Sequence, residues 1–398
     1  MKILLAGNIL GKGGIQTHLR WLAKVLGEEG FEVLVISVTN QLPSPLDLQD
    51  IQQYQSDKVN FIFFHTQEIK KHFVSNVQYL VKITTTVKEF FPDIYLAVGT
   101  GWNLFLPPIF LGSQTKRIFH EVMSGFVGSW RHSRWIVRWC FHEVIGQSPT
   151  VAENFAESSG WKKEITAIPA FPEPLELSAS LPQPILRTVE LGKAKAAVFS
   201  RLVPHKQAFW LVQQWEYLKD VLDELHIHGS GPEEELIREY IASQGIGDRV
   251  KCFGRYPDGQ AYVDLISTYD LTLLPTVGAE GAPLVLLESM ACGVPFVAYG
   301  VGGIPDYGVD NLNVLIVAPE RWRTDQARVY ADVENKDQSS EQENQSSSKM
   351  PVFISAIKEM LHKLAQGEID QAQLQQFYLE RYSYSVLKKA WISYLCKQ

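Results

Sequence analysis

Two glutamates, Glu280 and Glu288, stand eight positions apart in the stretch 276–295, and their surroundings give the two carboxylates different tasks. Leu271 to Leu274 is apolar and stopped by Pro275, and Phe296 to Tyr299 is apolar again, so the stretch predicts a strand, loop, helix and strand in succession. Pro283 suits the first turn of a helix and Gly293 its left-handed end, which places the helix over 283–292. Glu280 falls just before that helix, where free N–H groups and the positive end of the dipole favour anions. Glu288 falls inside it, among Leu284, Val285, Leu286, Leu287, Met290 and Ala291. An ionised carboxylate in a helix that is apolar on nearly every side costs free energy unless something pairs with it.

Three other groups could do chemistry. Gly11, Gly13 and Gly14 lie between an apolar run at 2–6 and a helical pattern through Leu19, Leu22 and Leu26, and glycines there let backbone amides approach a phosphate closely. Strict GxGxxG spacing is absent and no acidic residue closes the second strand at 37–40, which argues against a dinucleotide; a tight turn without ligand is the alternative. His120 follows Ile118 and Phe119 at the carboxyl end of a strand, where open α/β sheets put their chemistry, with a satisfied loop histidine as the competing explanation. Arg131, Arg134 and Arg138 recur at helical spacing among Trp130, Trp135 and Trp139, a pattern that suits an anionic membrane surface. An ordinary domain helix over 129–142, its arginines solvated and Val137 and Cys140 in the core, is the reading preferred here.

The elements that must position these groups alternate between short apolar strands and amphipathic helices along the whole chain, which predicts α/β architecture with two doubly wound Rossmann-like domains facing across a cleft. At 398 residues with 45% hydrophobic composition the chain suits two domains. The first spans 1–170, and a proline-rich linker follows at 171–187, with Pro172, Pro174, Pro182 and Pro184. The second spans 188–378, with a polar insertion at 335–349 too poor in apolar surface to order itself, and a terminal helix in 379–398 is expected to return to the first domain. A net charge of −7 argues against general nucleic-acid binding. Cys140, Cys252, Cys292 and Cys396 show no metal-ligand spacing and read as reduced packing residues of a cytoplasmic protein. No run of about 18 apolar residues offers a membrane span, and the opening six residues are too short for a signal-peptide core.

Glu280 and Glu288, within Glu-Gly-Ala-Pro-Leu-Val-Leu-Leu-Glu-Ser-Met-Ala-Cys-Gly-Val-Pro, give the strongest of a set of motifs. The others are Phe199-Ser200-Arg201 with His205-Lys206, Gly229-Ser230-Gly231-Pro232, Phe253-Gly254-Arg255, Tyr269-Asp270 and Gly302-Gly303 with Pro305-Asp306. Gly13-Gly14, His18, Gly30 and His120-Glu121 extend the set into the first domain. Taken together the chain resembles the family-four retaining glycosyltransferases of the GT-B type. The resemblance implies that a nucleotide-diphosphate sugar docks on the second domain. Arg201 and Lys206 would clamp its diphosphate together with amides at Gly281, Ala282 and Leu284, Glu280 would contact the sugar, Glu288 the ribose, and Tyr256 the base. Gly13 and Gly14 would bring amides from the first domain, and His120 would line the sugar and the acceptor. The acceptor would be a saccharide or a lipid-linked saccharide, with peripheral membrane contact an open matter. No Asp-x-Asp occurs, so the resemblance implies no metal and no cofactor. A nucleotide-sugar epimerase or a non-catalytic nucleotide-sugar-binding module of the same architecture are the alternatives. The chain departs from the family's usual pattern at Gly281-Ala282-Pro283, where Gly-Phe-Gly is common, at Gln207, usually glycine, and at Leu312-Asn313-Val314, usually an Asn-Gly turn.

Overall fold

Apolar runs bounded by glycine and proline become parallel strands throughout, because a strand covered on both faces must be hydrophobic along its whole length. The computed structural model describes residues 1–11, 13–39, 43–65, 73–127, 133–183, 188–278, 280–320 and 350–397. They divide into two units, one of Met1–Glu173 with Tyr384–Gln398 and one of Pro174–Ser383.

The first unit is built on β1 (Lys2–Gly7), β2 (Glu32–Thr39), β3 (Val59–His65), β4 (Ile94–Val98), β5 (Lys116–Glu121), β6 (Glu143–Gly146) and β7 (Thr166–Ala167). Their order is β3-β2-β1-β4-β5-β6-β7, every pair parallel. The strand order reverses between β1 and β4, so the carboxyl ends of those strands flank a natural ligand position. The second unit repeats the plan with β8 (Ala194–Phe199), β9 (Leu222–His228), β10 (Val250–Gly254), β11 (Leu271–Leu274), β12 (Phe296–Tyr299) and β13 (Leu315–Val317), ordered β10-β9-β8-β11-β12-β13. All of these pairs are parallel too, and the reversal falls between β8 and β11. The doubly wound α/β reading holds for both units.

Helix boundaries follow the local chemistry. The helix bearing Glu288 spans Leu284–Ala291, entered through Pro283 and left through Gly293 at φ 68°. The last helix, Tyr384–Leu395, buries Leu387, Trp391 and Leu395 in the core of the first unit, and its Trp391 indole donates to the Pro169 carbonyl at 3.0 Å. In the proline-rich segment the short helix Leu175–Ser178 belongs to the second unit, with Leu175 fully buried. The polar insertion expected at 335–349 lies outside the described residues.

The helix expected over 129–142 requires correction. Within the described residues that stretch holds only a 3-10 turn, Ser133–Ile136, and a single helical turn, Val137–Cys140. Two further helices, Pro149–Ser159 and Gln371–Arg381, carry local signals that the sequence reading passed over. Ser148 caps the first by accepting from the Val151 amide, Pro149 opens it and Gly160 at φ 68° closes it, while Asp370 caps the second by accepting from the Gln373 amide.

Candidate active site

Two loops meet at the carboxyl edge of the second sheet, one following β8 and one following β11, the strands between which the order reverses. The β8 loop carries Arg201, which is exposed, and a 3-10 turn Pro204–Lys206. That turn ends on Gln207 at φ 58°, a left-handed conformation in which glycine is the residue of least cost. The Gln207 side chain donates back to the Pro204 carbonyl at 2.8 Å, which offsets part of that cost.

The β11 loop is held on both flanks. On one side the His205 carbonyl accepts from the Val277 amide at 3.0 Å and from the Thr276 hydroxyl at 3.2 Å. On the other, the Gly303 amide donates to the Gly281 carbonyl at 2.6 Å. Gly302 adopts φ 56° there, and a Cβ on it would lie 1.6 Å from the Glu280 carbonyl oxygen, so both its angle and its lack of a side chain are required.

Held in this way, Glu280 forms an ion pair with Lys206, the two side chains only 14% and 12% exposed. Burial, and then the Arg201 guanidinium, push the Lys206 ammonium down to about 7. The Glu280 carboxylate in contact with it works the other way and favours the charged pair. A cluster of two cations and one carboxylate at a sheet's switch point can hold a diphosphate on the cations and a hydroxyl-bearing group on the carboxylate.

Glu288 does not stand alone in its apolar helix: it is half-buried, and the Tyr262 hydroxyl donates to its Oε2 at 2.8 Å. Burial first, and the Glu288 charge next, hold Tyr262 well above the ordinary phenol value, so it stays a donor. Tyr256 stacks on Tyr262 at 4.9 Å and meets Phe199 edge-on at 5.4 Å, an aromatic shelf at the mouth of β8 and β10. Gly281 and Ala282 are buried beside the ion pair and Leu284 is half-buried at the helix start. Lys206, Glu280, Gly281 and Ala282 therefore come together, as do Tyr256 and Glu288.

The remaining candidates lie in the first unit. Gly13 and Gly14 are exposed where the helix Gly14–Glu28 begins. The guanidinium of Arg20, itself buried, braces the loop before them by donating to the carbonyls of Ile9 at 2.7 Å and Gly11 at 3.1 Å. His120 is fully buried against Trp391, and its Nδ1 lies 3.1 Å from His18 Nε2. Hydrogen-bond direction fixes both tautomers. The Phe171 amide donates to His18 Nδ1 at 3.0 Å, so the His18 proton is on Nε2 and is donated to His120 Nδ1. The His120 proton is then on Nε2.

Burial keeps both rings neutral, His18 down to about 3 and His120 well below its usual value. The unfolded chain takes up protons below pH 6.5 that the folded unit does not, so stability falls with pH through that window. The slope is up to about 1.4 kcal/mol per group per pH unit until the folded values are reached. Denaturant titrations at pH 7.5 and 5.5 should show that loss, and a His18→Asn variant should show a shallower one. His205 and His228 in the second unit, each held down to about 4 chiefly by burial, act in the same sense, so it is the difference between variant and parent that reports on His18. Equal slopes would remove the assignment.

The arginine stripe is also corrected. Arg134 is buried, and its Nη1 reaches Glu121 Oε1 at 2.8 Å and Oε2 at 2.9 Å, while its Nη2 donates to the Phe126 carbonyl. Glu121, fully buried at the end of β5, needs a cation, and Arg134 turns inward to supply it. Arg138 is exposed and lies over Trp135 and Trp139, with centroid distances of 4.6 and 4.2 Å. Arg131 is outside the described residues. Gly278 and Tyr262 were missed by sequence reasoning, and His205 entered only beside Lys206 in a motif with no role of its own, since no local spacing links positions 205 and 278, or 262 and 288.

Two Rossmann-like units built on parallel sheets give the chain the architecture of the GT-B fold. Residues 193–332, within the second unit, match the family described as Glycosyl transferases group 1. An uncharacterized glycosyltransferase of Haemophilus influenzae is 26% identical over 298 residues, 73% of this chain and 78% of its own length. A GDP-mannose-dependent alpha-(1-6)-phosphatidylinositol monomannoside mannosyltransferase of Mycobacterium tuberculosis is 32% identical over 135 residues, 32% of this chain and 35% of its own. Among solved structures, Anabaena HepE in complex with UDP-glucose superposes with a TM-score of 0.70 at 18% identity over 99% of both chains, a likeness of fold.

Proposed function

We propose that this chain transfers a sugar from a nucleoside-diphosphate sugar to a saccharide or lipid-linked acceptor, with retention at the anomeric carbon and without a metal ion. The observation that carries the reading is the Lys206–Glu280 pair with Arg201 beside it at the switch point of the second sheet. As the glycosidic bond breaks, negative charge grows on the departing diphosphate, and Arg201 and Lys206 stabilise it without reorganising. Those two cations supply the charge that a bridging metal would. Glu280, turned to the sugar, accepts its hydroxyl hydrogens; Glu288, oriented by Tyr262, accepts from the ribose. Transfer on the front face, with the departing phosphate taking the acceptor proton, accounts for retention. Pro283 has no N–H, so one backbone contact usual at this position is lost, and donor preference is expected to be set there.

The likeness to HepE, whose crystal structure holds UDP-glucose, and to a mannosyltransferase that uses GDP-mannose supports a nucleotide-sugar donor. No helix among the described residues is long and apolar enough to cross a membrane, and the free, scattered cysteines suit a cytoplasmic site with at most peripheral lipid contact, in polysaccharide or glycolipid synthesis. The test is transfer from a panel of UDP- and GDP-sugars to saccharide acceptors in excess chelator, with the product anomer read by NMR. Full activity in chelator and an anomer matching the donor are expected. Complete dependence on added divalent metal, or inversion, overturns the reading.

A further inference from the structure

The loop bearing Glu280 reaches Lys206 through a contact that neither residue makes. A Cβ placed on Gly278 would lie 2.8, 2.9 and 3.0 Å from His205 Cβ, Cδ2 and Cγ, so the imidazole lies flush on the backbone at Gly278. Gly278 precedes Glu280 by two positions, and Lys206 follows His205 directly. We propose that His205 and Gly278 form a latch that sets the Glu280 carboxylate against Lys206, making His205 a positioning residue of the donor site and Gly278 the position that admits its ring. The inference rests on reading this loop pair as the donor site, and deepens that reading.

Three features carry it. The His205 carbonyl already holds the β11 loop in register by accepting from Val277 and Thr276, so the ring adds a sideways stop to a contact whose alignment is fixed. The opposite flank is packed closely too, because the Glu280 carbonyl fills the space a Cβ on Gly302 would occupy, and the Gly303 amide donates to the Gly281 carbonyl. With Gly278 held on one flank and Gly281 on the other, Glu280 meets Lys206. The ring acts by shape and not by charge, since burial, then the Lys206 and Arg201 charges, push its pKa down to about 4. A third cation is therefore not part of the resting site at neutral pH.

Size exchange tests the latch. Gly278→Ala drives a methyl group into the ring and displaces Glu280, and a misplacement of about 1 Å costs on the order of 10²-fold in turnover. His205→Ala keeps the carbonyl and its two hydrogen bonds while emptying the space, so its own loss should be smaller. The double variant His205→Ala/Gly278→Ala puts the methyl group where the ring was, and should regain most of what Gly278→Ala loses. The measurements are kcat and KM with the nucleotide sugar that the wild type turns over fastest, and calorimetric binding of UDP and GDP. The loss should fall on kcat, with the diphosphate's Kd changed by no more than about twofold, the scatter of independent sites. If Gly278→Ala fails to fold, recovery of folding by the added His205→Ala is the same exchange read as stability. Losses that simply add in the double variant overturn the latch. A wild type that binds neither nucleotide and transfers no sugar overturns the donor-site reading itself, and the latch with it.

Discussion

Lys206→Ala and Glu280→Ala each abolish transfer, with kcat/KM lower by at least about 10²-fold, while both proteins keep their fold. The two losses differ in kind. Lys206 is largely buried beside Arg201, and in the proposed reaction its removal would take away charge that meets the departing diphosphate, so the Kd for UDP or GDP should rise along with the loss of rate. In the proposed donor site Glu280 would compete with the diphosphate for the Lys206 ammonium it already pairs with, so removing it would leave Lys206 to the phosphates. Nucleotide binding should then hold or tighten while kcat collapses, the signature of an interaction made with the sugar in the transition state. Calorimetry with UDP and GDP beside steady-state kinetics separates the two. Wild-type rates in both variants would show that the chemistry lies elsewhere.

The second large effect concerns stability. Arg134→Ala strips Glu121 of the cation that meets both of its oxygens, at a site where the two side chains are 5% and 0% exposed. Breaking such a pair from one side typically costs about 3–5 kcal/mol, because an uncompensated charge is left in the interior. The Met123 amide, which donates to Glu121 Oε1 at 2.8 Å, remains but does not replace a full charge. The joint replacement Glu121→Leu/Arg134→Met should be far milder than Arg134→Ala, since it leaves no charge behind. Denaturant unfolding of the first unit, followed for parent, single and joint variants, tests the ordering. A single variant as stable as the parent would mean that water reaches the pair.

These two sites were legible to different degrees, for physical reasons. The helix Leu284–Ala291 could be read closely because Pro283 and Gly293 are local determinants acting on their own backbone. The resemblance put Lys206 and Glu280 in one site with different tasks, and their ion pair came from the structure. Only the parallel adjacency of β8 and β11 brings the loops together, and nothing local encodes that. Glu288 illustrates the same limit: its buried-charge cost was visible in the helix, but Tyr262, its hydrogen-bond donor, sits on another element. The arginine stripe misled because helical periodicity reports only on one segment, and the demand that turned Arg134 inward arises on β5. The helix Pro149–Ser159 could have been read, its cap, proline and glycine all being present in the sequence.

The return of the last helix to the first unit has a consequence for synthesis. Leu387, Trp391 and Leu395 complete a core begun by Ile3, Leu5 and Leu22, so the first unit lacks part of its core until residues that follow the second unit have been made. The second unit, continuous from Pro174 to Ser383, has every strand and helix it needs before then. Although domains commonly fold in the order in which they are made, here the second unit lies between the two parts of the first and has all its residues before the first has its own.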